Sequence, residues 1–539
     1  MGKSFARWCR DAGPFVWAVF YFGLLWTLDF PKPFIDDLFN IGAALNLAGG
    51  GAFSNPLLVR QQFPTSRYFF HPPLQAYLLS VWLKVFGVSA ASLTGFQCLV
   101  YLVICLATIA ILRRHRAPTL LEWLAPLGVS SAFLPIGLRH EPLSAALVMM
   151  GFAVVECGCV GTLPLFGGFL LMFLGWSVAE RFVVFNAVLI LLAVYRLWRA
   201  TCCAPVSRPR TAHRHPTVAA VYDRRPCWAV AAGVALLVTA LMFLAQIDFR
   251  VSEFSRTIHL HAVTVLGGSK PGLLVQFLLG IGITQKPILV MLLVLAIWAL
   301  QHPLDDLARI GLCLTLALPC VAFIGGLGCG GIWFPVLAVL LLTDSVVRHT
   351  TAHLARAALL SLVCAVLVAF SSKNLVNILG IVTGGIQSGA SSPDGILTAG
   401  GRDAHPTTGS LRPTPEHPLL VDASTARYIF DYRLPPGSID WSFAAPFPGA
   451  LDAHFTIRPG DIYLLGPSSV HILARKGCLD LPTPQWVPLG LRRWAYEQQP
   501  RKAYLIRAED CQPPRPPASP TRHAIWRSLL TGEDIHQDQ

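Results

Sequence analysis

Eleven apolar runs recur along the chain, at 14–30, 92–112, 119–136, 142–157, 163–178, 182–197, 227–245, 287–300, 310–324, 333–347 and 357–370. About 20 apolar residues cross the hydrocarbon core of a bilayer, and fewer where it is thin. The runs therefore predict a mainly α, polytopic transmembrane helical bundle of about 11 spans. A soluble domain has too little polar surface to cover such a chain: 54% of its residues are hydrophobic, 13% are charged, and the mean hydropathy is +0.56. The net charge of +13 does not point to nucleic acid. The basic residues gather in short clusters between apolar runs, as cytoplasmic loops of membrane proteins do.

Those clusters orient the spans. Lys3, Arg7 and Arg10 place the amino terminus in the cytoplasm, Arg113, Arg114 and Arg116 close the second run there, and seven arginines from Arg196 to Arg225 crowd one loop before the seventh. An odd number of spans then puts the carboxyl terminus outside. Three stretches face the extracytoplasmic side: 31–73, 246–272 and everything after 371. The expected division is a transmembrane region over 1–372, with its first extracytoplasmic loop at 31–73. A linker rich in Gly, Pro, Ser and Thr covers 373–420, and an extracytoplasmic domain covers 421–539. In that last part "RYIFDYRL", "DIYLLG", "VHILARKG" and "KAYLIRAE" are short and rich in β-branched and aromatic residues, which predicts a small α/β or β domain. No small-residue cleavage site follows the first run, so it is expected to be retained as a span. The compact loops suggest a bacterial inner membrane.

Of the 14 cysteines most sit in apolar runs, where they act as small hydrophobes, and Cys202 and Cys203 lie in a basic loop expected to stay reduced. Cys478 and Cys511 lie in the polar stretch facing an oxidising space and are the pair expected to form a disulfide. "GGLGCGG" at Gly325–Gly331 lacks the Lys and the Ser or Thr of a phosphate loop and reads as a tight turn.

The chemistry gathers around "FIDDLFN", Phe34–Asn40, where the first run ends. Apolar residues at helical spacing after it, closed by "GGG", predict a helix lying on the membrane surface. Asp36 and Asp37 would fall in its first turn. As a cap and a partner for the helix dipole they would contribute about 1 kcal/mol; as catalysts one of them would serve as a base. A second surface helix is predicted to begin at "HPPLQAYLLSVWLKVFG".

An acidic pair after the first run, a surface helix, and then "YFFHPPLQAYLLSVWLKVFG" over Tyr68–Gly87 resembles the GT-C membrane glycosyltransferases. The resemblance is greatest to the branch holding the protein O-mannosyltransferases, the lipid A aminoarabinose transferases and the bacterial Rgt-type sugar transferases. It is strongest over Phe34–Gly87, extends by topology over the membrane region, and ends at Ser371. It implies transfer of a sugar from a polyprenyl-phosphate donor to a lipid, glycan or protein hydroxyl on the extracytoplasmic face. A first-loop carboxylate would act as general base, Asp36 or Asp37, the family's acidic-pair pattern favouring Asp36.

It also implies a divalent metal ion with His71, His259 and His261 as candidate ligands. The matching position of His71 in the aminoarabinose branch holds a carboxylate, so a histidine there is a departure, and it would equally suit the donor phosphate as a cation. His259 and His261 share a face only if "TIHLHAV" is extended. Arg139 and Glu141 in "GLRHEPLSAAL", and Glu180 with Arg181 in "GWSVAERFVVF", are ionisable residues near membrane depth, which pair or line a functional cavity. Arg139, Glu141, Arg181 and Lys270 join His71 as substrate-binding candidates, arginine because its forked donors suit phosphate; Arg256 and Lys286 are weaker ones. A transporter or flippase of lipid-linked sugars, or a non-catalytic scaffold, would share the many spans.

Overall fold

A computed structural model describes residues 11–28, 30–31, 35–54, 71–134, 137–157, 162–179, 182–202, 227–266, 285–302, 304–324, 331–382, 396–398, 417, 419–421, 444–446, 456–465, 472–473 and 503–508. The chain divides into two compact units, one built mainly from 1–391 and one mainly from 392–539.

The described part of the larger unit is helical: α1 (Gly13–Thr27), α2 (Ile35–Ala48), α3 (Leu74–Phe86), α4 (Ala90–Arg114), α5 (Thr119–Phe133), α6 (Glu141–Glu156), α7 (Thr162–Trp176), α8 (Val183–Cys202), α9 (Cys227–Gln246), α10 (Val251–Leu266), α11 (Lys286–Leu300), α12 (Asp306–Ile324), α13 (Trp333–His349) and α14 (His353–Val382). Each of the eleven apolar runs falls on one of these helices. Among the described residues three stretches, Ala91–Arg114, Trp228–Gln246 and His353–Ser372, are long and apolar enough to cross a membrane, and Gly13–Thr27, Leu74–Phe86, Thr162–Trp176 and Lys286–Leu300 are shorter apolar helices. This is the architecture of an integral membrane protein.

The core forms where apolar faces meet. Helix α13 is buried from Trp333 to Val346 and packs against α5, α11 and α12. Helix α6 is almost wholly buried between α4, α7 and α8. Its approach to α7 depends on small residues: a Cβ at Gly151 would stand 2.4 Å from the carbonyl oxygen of Gly168. Small residues let helix backbones come together in a bilayer, where apolar attraction between helices is absent.

Helices form at both "DDLFNIGAALNLA" and "HPPLQAYLLSVWLKVFG". Helix α2 buries Ile41, Ala44 and Leu45 and packs against α3. It stops at Gly50, whose φ of +86° suits glycine, and Asn46 ties the turn by donating to the Ala52 carbonyl (2.7 Å) and the Ser54 hydroxyl (2.9 Å). Helix α14 runs to Val382, past residue 372, because its apolar composition continues through "NLVNILGIV".

At the far end of α6 a set of charges joins several helices. Glu156 meets His115 (3.1 Å) and Arg196, and Arg196 reaches Asp306 (2.7 Å), linking α6 to α4, α8 and α12. Arg114 donates to the Glu156 carbonyl (3.1 Å), Arg113 pairs with Glu122 (2.8 Å), and Arg348 pairs with Asp344 (2.8 Å). Burial, with Arg196 beside it, pushes the His115 imidazole down to about 4. Burial would raise Asp306, but Arg196 and its neighbours Arg309 and Arg199 outweigh it and hold the carboxyl below its ordinary range.

The smaller unit contains a mixed five-stranded sheet: β1 (Ile396–Thr398), β2 (Leu419–Val421), β3 (Ala444–Pro446), β4 (Ile462–Leu465) and β5 (Ala503–Arg507), in the order β1-β5-β4-β2-β3. Pairs β1–β5, β2–β3 and β2–β4 are parallel, and β4–β5 is antiparallel. Parallel neighbours need crossover connections. "DIYLLG" and "KAYLIRAE" supply β4 and β5, while Ile472 and Leu473 of "VHILARKG" are helical. "RYIFDYRL", Cys478, Cys511 and 325–330 of the glycine turn lie outside the described residues.

Candidate functional site

The centre of the site is the turn that leads into α6. Gly137, at φ +71°, bends the chain, and His140 stands at the N-cap position, without a side-chain capping bond, of the helix that Glu141 and Pro142 begin. Three consecutive carbonyls of this turn are each held by a buried side chain. The Tyr101 hydroxyl shares its one proton between the carbonyls of Phe133 (3.1 Å) and Gly137 (3.2 Å). Gln97 donates to Arg139 (3.2 Å), and Gln75 reaches Leu138 (3.5 Å). Gln97 and Tyr101 stand one turn apart on α4, and Gln75 belongs to the first turn of α3. Peptide carbonyls without water need such partners, and here the partners also fix the turn's shape.

The pinned turn presents Arg139, His140 and Glu141. Arg139 grips Glu141 through two nitrogens: Nη2 lies 2.8 Å from Oε1, and Nε lies 3.1 Å from both Oε1 and Oε2. The arginine is 8% exposed and the glutamate 0%, so this is a buried, forked pair of the kind that is costly to break. The His140 Nδ1 atom lies 3.6 Å from Glu141 Oε2. Across the site His71, just ahead of α3, places its ring 4.2 Å from the His140 ring, centroid to centroid, at 38°. Both imidazoles are buried.

Neighbouring helices close around this group. The Leu74 amide donates to the Ser177 carbonyl (3.4 Å), docking the start of α3 on the end of α7. One turn below Glu141, Ser144 donates to Gly175 O (2.8 Å) and accepts from Asn186 Nδ2 (3.1 Å), tying α6 to α7 and α8.

The structure thus brings together three of the residues read from the sequence: His71, Arg139 and Glu141. Asp36 and Asp37 are the second and third residues of α2, which packs against α3; their side chains lie outside the described residues, as do Glu180, Arg181, Lys270 and the side chain of His261. Arg256, His259 and Lys286 are exposed.

Residues 259 and 261 are helical in α10, so the extended form under which the two positions would share a face is not the one found. Among the described residues no three His, Cys, Asp or Glu side chains form a metal-binding group. Glu141 already holds Arg139, the rings of His71 and His140 lie tilted by 38° to each other, and the side chain of the third candidate ligand, His261, lies outside the described residues.

Three residues here escaped the sequence reading. His140 lies inside the "RHE" whose ends were singled out. Gln97 sits in an apolar run, where a lone amide is costly unless it finds a partner; that cost was a legible signal. Gln75 gave no comparable one, lying in a helix expected on the membrane surface, where polar residues are ordinary.

No family model matches the chain, and no curated protein matches it. Among solved structures it is similar to the crystal structure of ArnT from Cupriavidus metallidurans bound to undecaprenyl phosphate, at 13% identity, a TM-score of 0.45, and coverage of 92% of this chain and 98% of that one. A likeness of that size assigns no family.

Proposed function

We propose that the protein is an integral membrane glycosyltransferase that moves a sugar from a polyprenyl-phosphate donor to an extracytoplasmic hydroxyl of a lipid, glycan or protein. The observation that carries this reading is the pinned turn. Three neutral side chains hold its backbone so that a buried guanidinium and two imidazoles meet beside α3, the helix on which the Asp36–Asp37 helix packs. Such rigidity and such cost are expected of a site that must hold charge in place.

In the reaction the acceptor oxygen bonds to the anomeric carbon, and the bond from that carbon to the phosphate oxygen breaks. The lipid phosphate leaves with the electron pair, and the acceptor's proton passes to the base. Asp36 or Asp37 takes that proton, a contribution of about 10² to 10⁴-fold. Arg139 and His71 face the charge that grows on the departing phosphate, with Arg181 and Lys270 as further cationic candidates. Glu141 orients Arg139 and does not touch substrate.

Mass spectrometry of cells with and without the protein tests the reading. Loss of the protein is expected to remove one envelope sugar and to leave its lipid-linked donor accumulated. Unchanged glycans and unchanged lipid-linked sugars would refute it.

A further inference from the structure

At the end of the bundle where α6 finishes, several arginines each have an acceptor of their own. Arg113 pairs with Glu122, Arg114 donates to the Glu156 carbonyl, and Arg348 pairs with Asp344. Three others, Arg196 and Arg199 of α8 and Arg309 of α12, converge on one carboxylate, that of Asp306, the first residue of α12.

Arg196 takes the larger share of it. Its Nη2 lies 2.7 Å from Oδ2, and it also meets Glu156, so it belongs to the tie between helices. The other two complete little of their bonding there. Arg309 Nη1 stands 3.4 Å from Oδ1, at the long limit of a hydrogen bond, and Arg199 Nη1 stands 3.6 Å from the same oxygen, past that limit. Among the described residues Asp306 is the one ion-pair partner of either guanidinium. Each guanidinium carries five N–H donors in a planar fork, and the side chains of Arg199 and Arg309 are 48% and 36% exposed. Most of those donors are therefore left for solvent or a ligand. Both groups reach the same oxygen, so one tetrahedral anion can meet both.

The surface beside them indicates where that anion comes from. Leu191, Tyr195, Trp198 and Arg199 fall at i, i+4, i+7 and i+8 on α8, one face of a helix, and all four are exposed. The Tyr195 and Trp198 rings lie with centroids 6.2 Å apart. The order along this face, apolar then aromatic then cationic, is that of a helix leaving the hydrocarbon through the headgroup layer, where Tyr and Trp gather. A site for a soluble anion needs no such gradient.

We propose that Arg199 and Arg309, held together by Asp306, bind the headgroup phosphate of an anionic phospholipid, whose tails lie along the exposed face of α8. The basic clusters assign this end of the bundle to the cytoplasmic leaflet. The inference is independent of the transferase reading, since no part of the reaction takes place at this end of α6.

Native mass spectrometry of the full-length protein in detergent micelles, titrated with dioleoylphosphatidylglycerol or dioleoylphosphatidylcholine, tests it. The wild type is expected to prefer phosphatidylglycerol. A basic residue beside an anionic headgroup is worth about fivefold in binding. Arg199→Gln/Arg309→Gln should therefore cut the preference about 25-fold and leave phosphatidylcholine binding unchanged, with Arg196 still on Asp306 to keep the helices tied. Arg199→Lys/Arg309→Lys keeps both charges but loses the forks, and should still lose about fivefold. Arg116→Gln/Arg356→Gln removes the same charge from the same end and should change the preference less than about twofold. Inorganic phosphate at the lipid's concentration should not displace the lipid.

Equal losses in the Arg199/Arg309 and Arg116/Arg356 glutamine pairs would overturn the proposal in favour of a diffuse positive field, as would full preference in the lysine pair. Displacement by inorganic phosphate would overturn the lipid as the ligand. A wild type that binds the two lipids alike would overturn the site itself.

Discussion

Helix α6 begins on one buried glutamate and ends on another, and the two are used differently. Glu141 pairs with Arg139, two residues away in the same turn, and that turn is held by uncharged donors from α3 and α4. Glu156 pairs with residues of other helices, His115 and Arg196, and through Arg196 with Asp306. The first arrangement leaves its charges in place if neighbouring helices shift slightly; the second fastens helices to each other. A buried charge pair held locally, within a frame of neutral hydrogen bonds, is what a site for anionic substrate needs. Charges shared between helices are what a bundle end needs. The comparison teaches that burial alone does not mark a site, because both glutamates are buried.

The largest expected effect comes from breaking the local pair. Glu141→Gln leaves the Arg139 cation buried beside a neutral amide, and should cost about 3–5 kcal/mol and abolish transfer; thermal unfolding in detergent reads the first and donor turnover the second. Stability close to wild type would remove the contrast between the two ends.

Glu156→Gln should cost less, about 1–3 kcal/mol, because Arg196 keeps Asp306 and a hydrogen bond to a charged group is of that size. Transfer by the protein that remains folded should stay within about twofold, since no part of the reaction is assigned to that end. A selective loss of turnover there would move the site to the wrong end of α6.

Acidification should weaken the fastening end. The folded protein holds His115 down to about 4, while the unfolded chain titrates near the ordinary imidazole value of 6.5. The unfolded state therefore binds the extra proton in this window, and stability should fall as pH drops from about 6.5 to about 4. Asp306, held low, adds its loss only as pH falls below its ordinary value of 3.8. His115→Gln should flatten the first part of a melting-temperature curve against pH. A variant curve parallel to wild type would assign that slope to other groups.

The smallest effect is expected at Arg250–Glu253, an exposed i,i+3 pair at the start of α10, Arg250 just preceding the helix (3.2 Å). Arg250→Ala should change stability by less than about 1 kcal/mol. A larger loss would show that α10 is held by more than its apolar contacts.

The helices were legible because apolar residues in runs near membrane length leave few alternatives, and each of the eleven runs lies on one. "DIYLLG" and "KAYLIRAE" announced two strands by β-branched and aromatic content. Their place in a mixed, largely parallel sheet was not legible, since that order depends on crossovers between segments far apart in sequence. At the site, Arg139 and Glu141 stood out because charge in an apolar setting must be paired, and His71 stood out through the residues around it. His140, Gln75 and Gln97 act through backbone and ring contacts that only the folded turn creates. For His259 and His261 the residues left the conformation open, because a two-residue spacing means one face on a strand and opposite faces on a helix, and the segment is helical.

The most direct measurement of the central claim is sugar transfer from a labelled polyprenyl-phosphate donor in membranes holding the wild type, Asp36→Asn or Asp37→Asn. The account predicts that the wild type cleaves the donor and that at least one substitution lowers the rate by about 10² to 10⁴-fold. Full transfer by both variants would contradict the role given to the first-loop pair. Passage of the intact lipid-linked sugar across the bilayer, without cleavage, would contradict the enzyme itself.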